Sequence, residues 1–195
     1  MTCGRITIQE PLGVCWPRQY TRLQAELDRA VSVDQLILTD SSGARVDADF
    51  LDLHGNTLTV GLMLSLNPGQ TLAYELGEET SSGSCFAEIT KKEGVISIFT
   101  PQFTCDLPAS GVYSTTPPPI LRFSGQLLRL TGELQNAVCS NLITQLIRRP
   151  LTVEVNLNYI FENGGNWRVT LEFFKGTADV KITETFSCTT PLRFI

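Results

Sequence analysis

The sequence predicts an all-β protein: a small N-terminal β-barrel-like module followed by an antiparallel β-sandwich region. Three observations carry that prediction. Apolar and polar residues alternate with a period of two along much of the chain, the mark of strands with one buried face. Turn signals built from Gly, Asn, Asp and Pro recur about every 8–12 residues. The composition, 42% hydrophobic and 18% charged over 195 residues, supplies enough apolar surface to offset the entropy of ordering the chain.

The alternation is cleanest near the C-terminus. Val153, Val155, Leu157, Tyr159 and Phe161 take one parity, and Glu154, Asn156 and Asn158 the other. Glu162-Asn163-Gly164-Gly165-Asn166 then offers the positive φ a hairpin needs. Trp167, Val169, Leu171 and Phe173 return against Arg168, Thr170 and Glu172, and Lys175-Gly176 turns the chain into Val180, Ile182 and Phe186. The pattern is a three-stranded antiparallel meander. The first half reads as shorter hairpins: Leu36–Leu38 before Asp40-Ser41-Ser42-Gly43, Ala44–Leu53 before His54-Gly55-Asn56, and Thr57–Leu66 closed by Asn67-Pro68-Gly69 onto Thr71–Leu76.

Arg18–Val31 and Val138–Arg149 fit helical spacing as well as alternation; both are assigned to strands because their neighbours are strands and sheets leave few edges unpaired. The polar run Gly77–Ser84 is read as a linker, giving modules at residues 1–76 and 85–195. Thr115-Thr116-Pro117-Pro118-Pro119 is a stiff extended connection, read as a structural loop.

A formal net charge of −5, with basic residues gathered only in the pairs Lys91-Lys92 and Arg148-Arg149, argues against nucleic acid as a partner. No apolar run reaches the ~20 residues of a membrane helix, so no membrane insertion is expected. Residues 1–10 show no continuous signal region; either the protein is not secreted by that route or the chain is a mature or truncated form. Localisation is left open. The six cysteines (3, 15, 85, 105, 139 and 188) are widely spaced and form no metal-binding cluster. They read first as free buried thiols, with disulfides the alternative for an extracellular protein.

Chemistry is sparse. His54 is the only histidine and sits in a turn. Asp47, Asp49 and Asp52 resemble a calcium loop only in part, since Leu51 and Leu58 hold the places where an EF-hand needs acids; they read as acids on a solvated strand and turn. Glu154 and Glu172 share the polar parity of the meander and are the one carboxylate pair suited to glycoside chemistry. No catalytic residue, metal ligand or cofactor is assigned. The ligand-binding candidates are Trp16 and Arg18, an aromatic beside a guanidinium, with Asn156, Asn158, Arg168 and Glu172, amides and charges suited to sugar hydroxyls; Lys181 adds a cation to the same face.

Three segments carry a family resemblance. Ile6–Val14 followed by Pro17-Arg18, then Leu36–Val46 with its Asp40 and Gly43, then Leu64–Leu76 with Pro68-Gly69 ahead of Tyr74, resemble the small barrel of the exo-rhamnogalacturonan lyase-like group. That resemblance implies an N-terminal barrel over residues 1–76 and a central β-sandwich over roughly 85–190. In the family a helical α/α toroid follows. The sequence ends at Ile195 without one, so family lyase activity is not expected of this chain alone. The expected function is a pair of non-catalytic β modules of a carbohydrate-active protein, with a poly- or oligosaccharide as partner and self-association through sheet edges. The alternative is a structural or interaction protein such as an adhesin, coat or assembly subunit. A third reading is a complete lyase or hydrolase using Glu154 and Glu172.

Overall fold

A computed structural model describes residues 2–79, 84–124, 126–127, 134–135, 138–162, 164–187 and 193–194. Strands hold 63% of the described residues and helix 2%, which establishes the all-β class. The chain divides into two compact units, residues 1–84 with 149–151, and residues 85–148 with 152–195.

The first unit contains β1 (Thr2–Gln9), β2 (Trp16–Glu26), a 3-10 turn (Val33–Gln35), β3 (Leu36–Asp40), β4 (Arg45–Val46), β5 (Asp49–His54), β6 (Thr57–Leu66) and β7 (Thr71–Glu78). The strands pair as a four-stranded sheet, β1-β7-β3-β4, and a three-stranded sheet, β2-β6-β5. Leu58, Val60, Leu62 and Leu64 on β6 pack with Ile6, Leu38 and Leu76 from the other sheet to form one core. A bridge between Gly4 and Leu27 ties β1 to the chain just past β2. Glycine is required there, because a Cβ on Gly4 would lie 2.9 Å from the Glu26 carbonyl oxygen.

Four details of this unit differ from the expected elements. The strand read over Ala44–Leu53 breaks at Asp47-Ala48, and its two pieces, β4 and β5, belong to different sheets. The Asn67-Pro68-Gly69 turn does not close a hairpin either: β6 pairs with β2 and β5, and β7 pairs with β1 and β3. A turn signal fixes a reversal of the chain but not the neighbour the next strand finds. Finally, β7 runs through Gly77 and Glu78, inside the stretch read as linker, because Leu36 and Ile37 on β3 pair with them. β2 is a strand as expected, but it ends at Glu26 rather than Val31.

The second unit contains β8 (Glu88–Lys92), β9 (Val95–Phe99), β10 (Thr104–Pro108), β11 (Arg122–Phe123), β12 (Gln126–Leu127), β13 (Leu134–Gln135), β14 (Cys139–Arg148), β15 (Thr152–Phe161), β16 (Asn166–Phe174), β17 (Val180–Ser187) and β18 (Arg193–Phe194). A five-stranded sheet, β12-β11-β10-β9-β8, and a four-stranded sheet, β14-β15-β16-β17, share one core, and β13 pairs with β18. The expected meander is β15-β16-β17, with β14 added at its edge. Ile98, Cys105 and Leu107 from one sheet meet Val155, Leu157, Tyr159 and Phe173 from the other. Burying side chains of this size stabilises by about 1.5–3 kcal/mol each. Emptying one position, as in Leu157→Ala, costs about 2–5 kcal/mol. Pro117 and Pro119 are buried, as a structural loop requires.

Candidate functional site

The four-stranded sheet of the second unit buries its odd-numbered residues on β15 and β16 and turns the even-numbered ones outward. Register then builds the outer face row by row. Ile147, Glu154, Glu172 and Lys181 form one row, and Gln145, Asn156, Thr170 and Thr183 the next. Ile143, Asn158, Arg168 and Thr185 form a third. Four of the six ligand candidates, Asn156, Asn158, Arg168 and Glu172, are thus brought onto one face. Trp16 and Arg18 belong to the first unit.

Hydrogen bonds fix much of this face. The Asn156 amide nitrogen donates to Glu154 Oε1 at 2.8 Å, and Thr170 Oγ1 donates to Asn156 Oδ1 at 2.7 Å. Lys181 Nζ donates to Glu172 Oε2 at 2.8 Å. Glu172 is buried, a correction to its reading as an acid on a wet face; opposite-charge pairing with Lys181 is what allows a carboxylate there. Glu154 and Glu172 sit directly opposite each other across the β15–β16 ladder, and both are held by these bonds. Asn158 differs. Its amide oxygen is buried and has no hydrogen-bond partner, an unsatisfied acceptor in the same row as the exposed Arg168. Ile143, 47% exposed, gives the same row an apolar end.

In the first unit, Trp16 opens β2 at 37% exposure, and Arg18 lies exposed in the bulge between Trp16 and Gln19. Pro17 occupies that bulge on an edge strand, where a residue without an N–H is tolerated. The preceding loop is held by a residue the sequence reading passed over. The buried Glu10 carboxylate accepts from the N–H groups of Leu12 at 2.8 Å, Gly13 at 2.9 Å and Gly69 at 2.9 Å. These backbone donors, Gly69 foremost, hold the Glu10 carboxyl below the usual glutamate range. The loop they fix presents Leu12, 74% exposed, and Val14 beside Trp16.

Asp49 overturns part of another reading. Asp47 and Asp52 are exposed, but Asp49 is fully buried. Its Oδ2 accepts from the Tyr20 hydroxyl at 3.1 Å, and its Oδ1 from the Leu151 backbone N–H at 2.7 Å. Burial, reinforced by Asp49, pushes the Tyr20 phenol well above its usual range. The Tyr20 ring covers Gly61, where any Cβ would collide with the hydroxyl, and the Arg22 guanidinium lies 5.9 Å from the ring centroid. His54 ends β5, exposed, with Nε2 2.8 Å from Asp52 Oδ2.

Among the described residues, no group of three or more His, Cys, Asp or Glu side chains could hold a metal ion. The five described cysteines are unpaired: Cys3, Cys105 and Cys139 are buried, Cys85 is half-buried and Cys15 exposed. Cys188 lies outside the described residues. No helix among the described residues is long and apolar enough to cross a membrane. No protein-family model matches the chain, and no curated protein matches it either.

Proposed function

We propose that the chain is a pair of non-catalytic β modules of a carbohydrate-active protein, with the outer face of β14-β15-β16-β17 as its glycan-contacting surface. The observation that carries the reading is the row Ile143, Asn158, Arg168 and Thr185, exposed at Ile143, Arg168 and Thr185 and holding an unsatisfied amide acceptor at Asn158. Sugars offer hydroxyl donors and acceptors on a ring with apolar C–H faces. The Asn158 side-chain amide, once turned outward, accepts a hydrogen bond from a sugar hydroxyl, Arg168 donates to ring or acid oxygens, and the exposed Ile143 supports a C–H face. The exposed Trp16 and Arg18 supply a second contact of the same kind in the first unit. The segmental resemblance to the exo-rhamnogalacturonan lyase-like group supports acidic, pectin-type oligosaccharides as the ligand class, with Arg168 and Arg18 as carboxylate partners.

Calorimetric titration of the full chain with rhamnogalacturonan and homogalacturonan oligosaccharides tests this. Binding is expected, with Asn158→Ala and Arg168→Ala each weakening it by about tenfold. Absence of binding at millimolar ligand sinks the reading, as does binding that neither variant changes.

A further inference from the structure

We propose that two unlike sheet edges of the second unit recognise each other between copies of the chain: β17 of one copy adds as an antiparallel strand to β8 of the next, with Glu184 opposite Lys91. β17 is the edge of the four-stranded sheet and β8 the edge of the five-stranded one. The core-facing side of β17 is incompletely covered: Ile182 is 49% and Phe186 39% exposed, although Phe186 stacks on the buried Trp167 with centroids 5.3 Å apart. Between them on that side stands Glu184, paired in register with the buried Val169. An inward-pointing charge on an edge strand is a guard against indiscriminate pairing. Among the described residues it has no cationic partner.

Pairing of like edges cannot supply one. Residues opposite each other in a sheet share a face, so a second β17 sets Val180, Ile182, Glu184 or Phe186 against Glu184 in every register; its lysine, Lys181, is on the other face and held by Glu172. β8 carries the complement. Ile89 and Lys91 face the core side, opposite the buried Ile98 and Ile96, and Lys91 is exposed with no anionic partner among the described residues.

The backbone agrees with this register. The Phe161 N–H bonds the Gly165 carbonyl at 2.9 Å, and alternation across β15, β16 and β17 then points the N–H and C=O groups of Ile182, Glu184 and Phe186 away from β16. The Ala109 N–H bonds the Gly94 carbonyl at 2.8 Å, which by the same alternation points those of Ile89 and Lys91 away from β9. Outward groups therefore meet outward groups. Phe186 falls opposite Ile89, Thr185 opposite Thr90 and Thr183 opposite Lys92, so no like charges oppose each other. The contact is head-to-tail and leaves one free edge of each kind, so it builds rings or open chains of copies.

Sedimentation of the full chain from micromolar to near-millimolar concentration, with far-ultraviolet circular dichroism to confirm folding, tests this. Wild type is expected to form species larger than a monomer. Glu184→Lys and Lys91→Glu each move the association midpoint about tenfold higher in concentration, and the double reversal restores it. A wild type that stays monomeric throughout overturns the proposal. So does association indifferent to either reversal, or a folded double variant that fails to recover.

Discussion

Glu10 is the residue whose environment says most about how the first unit is held. Its carboxylate joins two connections distant in sequence, the Leu12-Gly13 loop and the Gly69 turn, through backbone donors alone. Glu10→Gln keeps the size but offers one acceptor oxygen in place of two, so its urea midpoint at neutral pH is expected to fall. Tyr159 makes the opposite case. Its hydroxyl is buried without a partner, and burial pushes the phenol far above its usual range. Tyr159→Phe is therefore expected to leave stability unchanged or raise it by up to about 1 kcal/mol; a loss larger than that in urea unfolding would show a bonded hydroxyl. At Gly61 the smallest added side chain meets Tyr20, which Asp49 holds in place. Gly61→Ala is expected to cost about 1–3 kcal/mol by the same measurement.

Elements were legible wherever one face is buried along a whole strand. β15 and β16 alternate along nearly their whole length, and that pattern fixes which face each residue takes while the turn between them sets the register, which is why Asn156, Asn158, Arg168 and Glu172 could be placed on one face from sequence. What the pattern could not show is partnership at a distance. Asp47, Asp49 and Asp52 look alike in sequence, and Asp49 is distinguished only by Tyr20 and Leu151, which reach it from other parts of the chain. The same limit hid the crossing between sheets at Asp47-Ala48 and the role of Glu10. One turn shows local chemistry short of its optimum. Glu93 and Gly94, at φ 50° and 78°, form the two-residue connection between β8 and β9, and a positive φ suits Asn far better than Glu. Glu93→Asn is expected to stabilise by about 0.5–1 kcal/mol, read as a shift in the thermal midpoint.

For the molecule as a whole, ionisable groups bound the pH range of stability. Glu10 is held below its usual range by backbone donors and Asp40 by the Ser42 hydroxyl and backbone N–H groups. The stability they add is complete above the unfolded carboxyl range of about 4 and is lost as pH falls through it toward the folded values. Burial pushes the Cys105 thiol from 9.0 up to about 12, so its contribution is whole below pH 9.0 and lost between those limits. A urea midpoint measured across pH should show a plateau falling at both ends, with Cys105→Ala making the alkaline fall shallower and leaving the shape of the acid limb unchanged. Long-range pairing governs kinetics as well. Ile6 on β1 finds its partner in Tyr74 on β7, and Leu38 on β3 finds Leu76. On a ribosome, then, β1 has only its bridge at Leu27 to lie against until the seventh strand has left the exit tunnel, and a stalled chain would leave the rest of that strand open to whatever else is nearby.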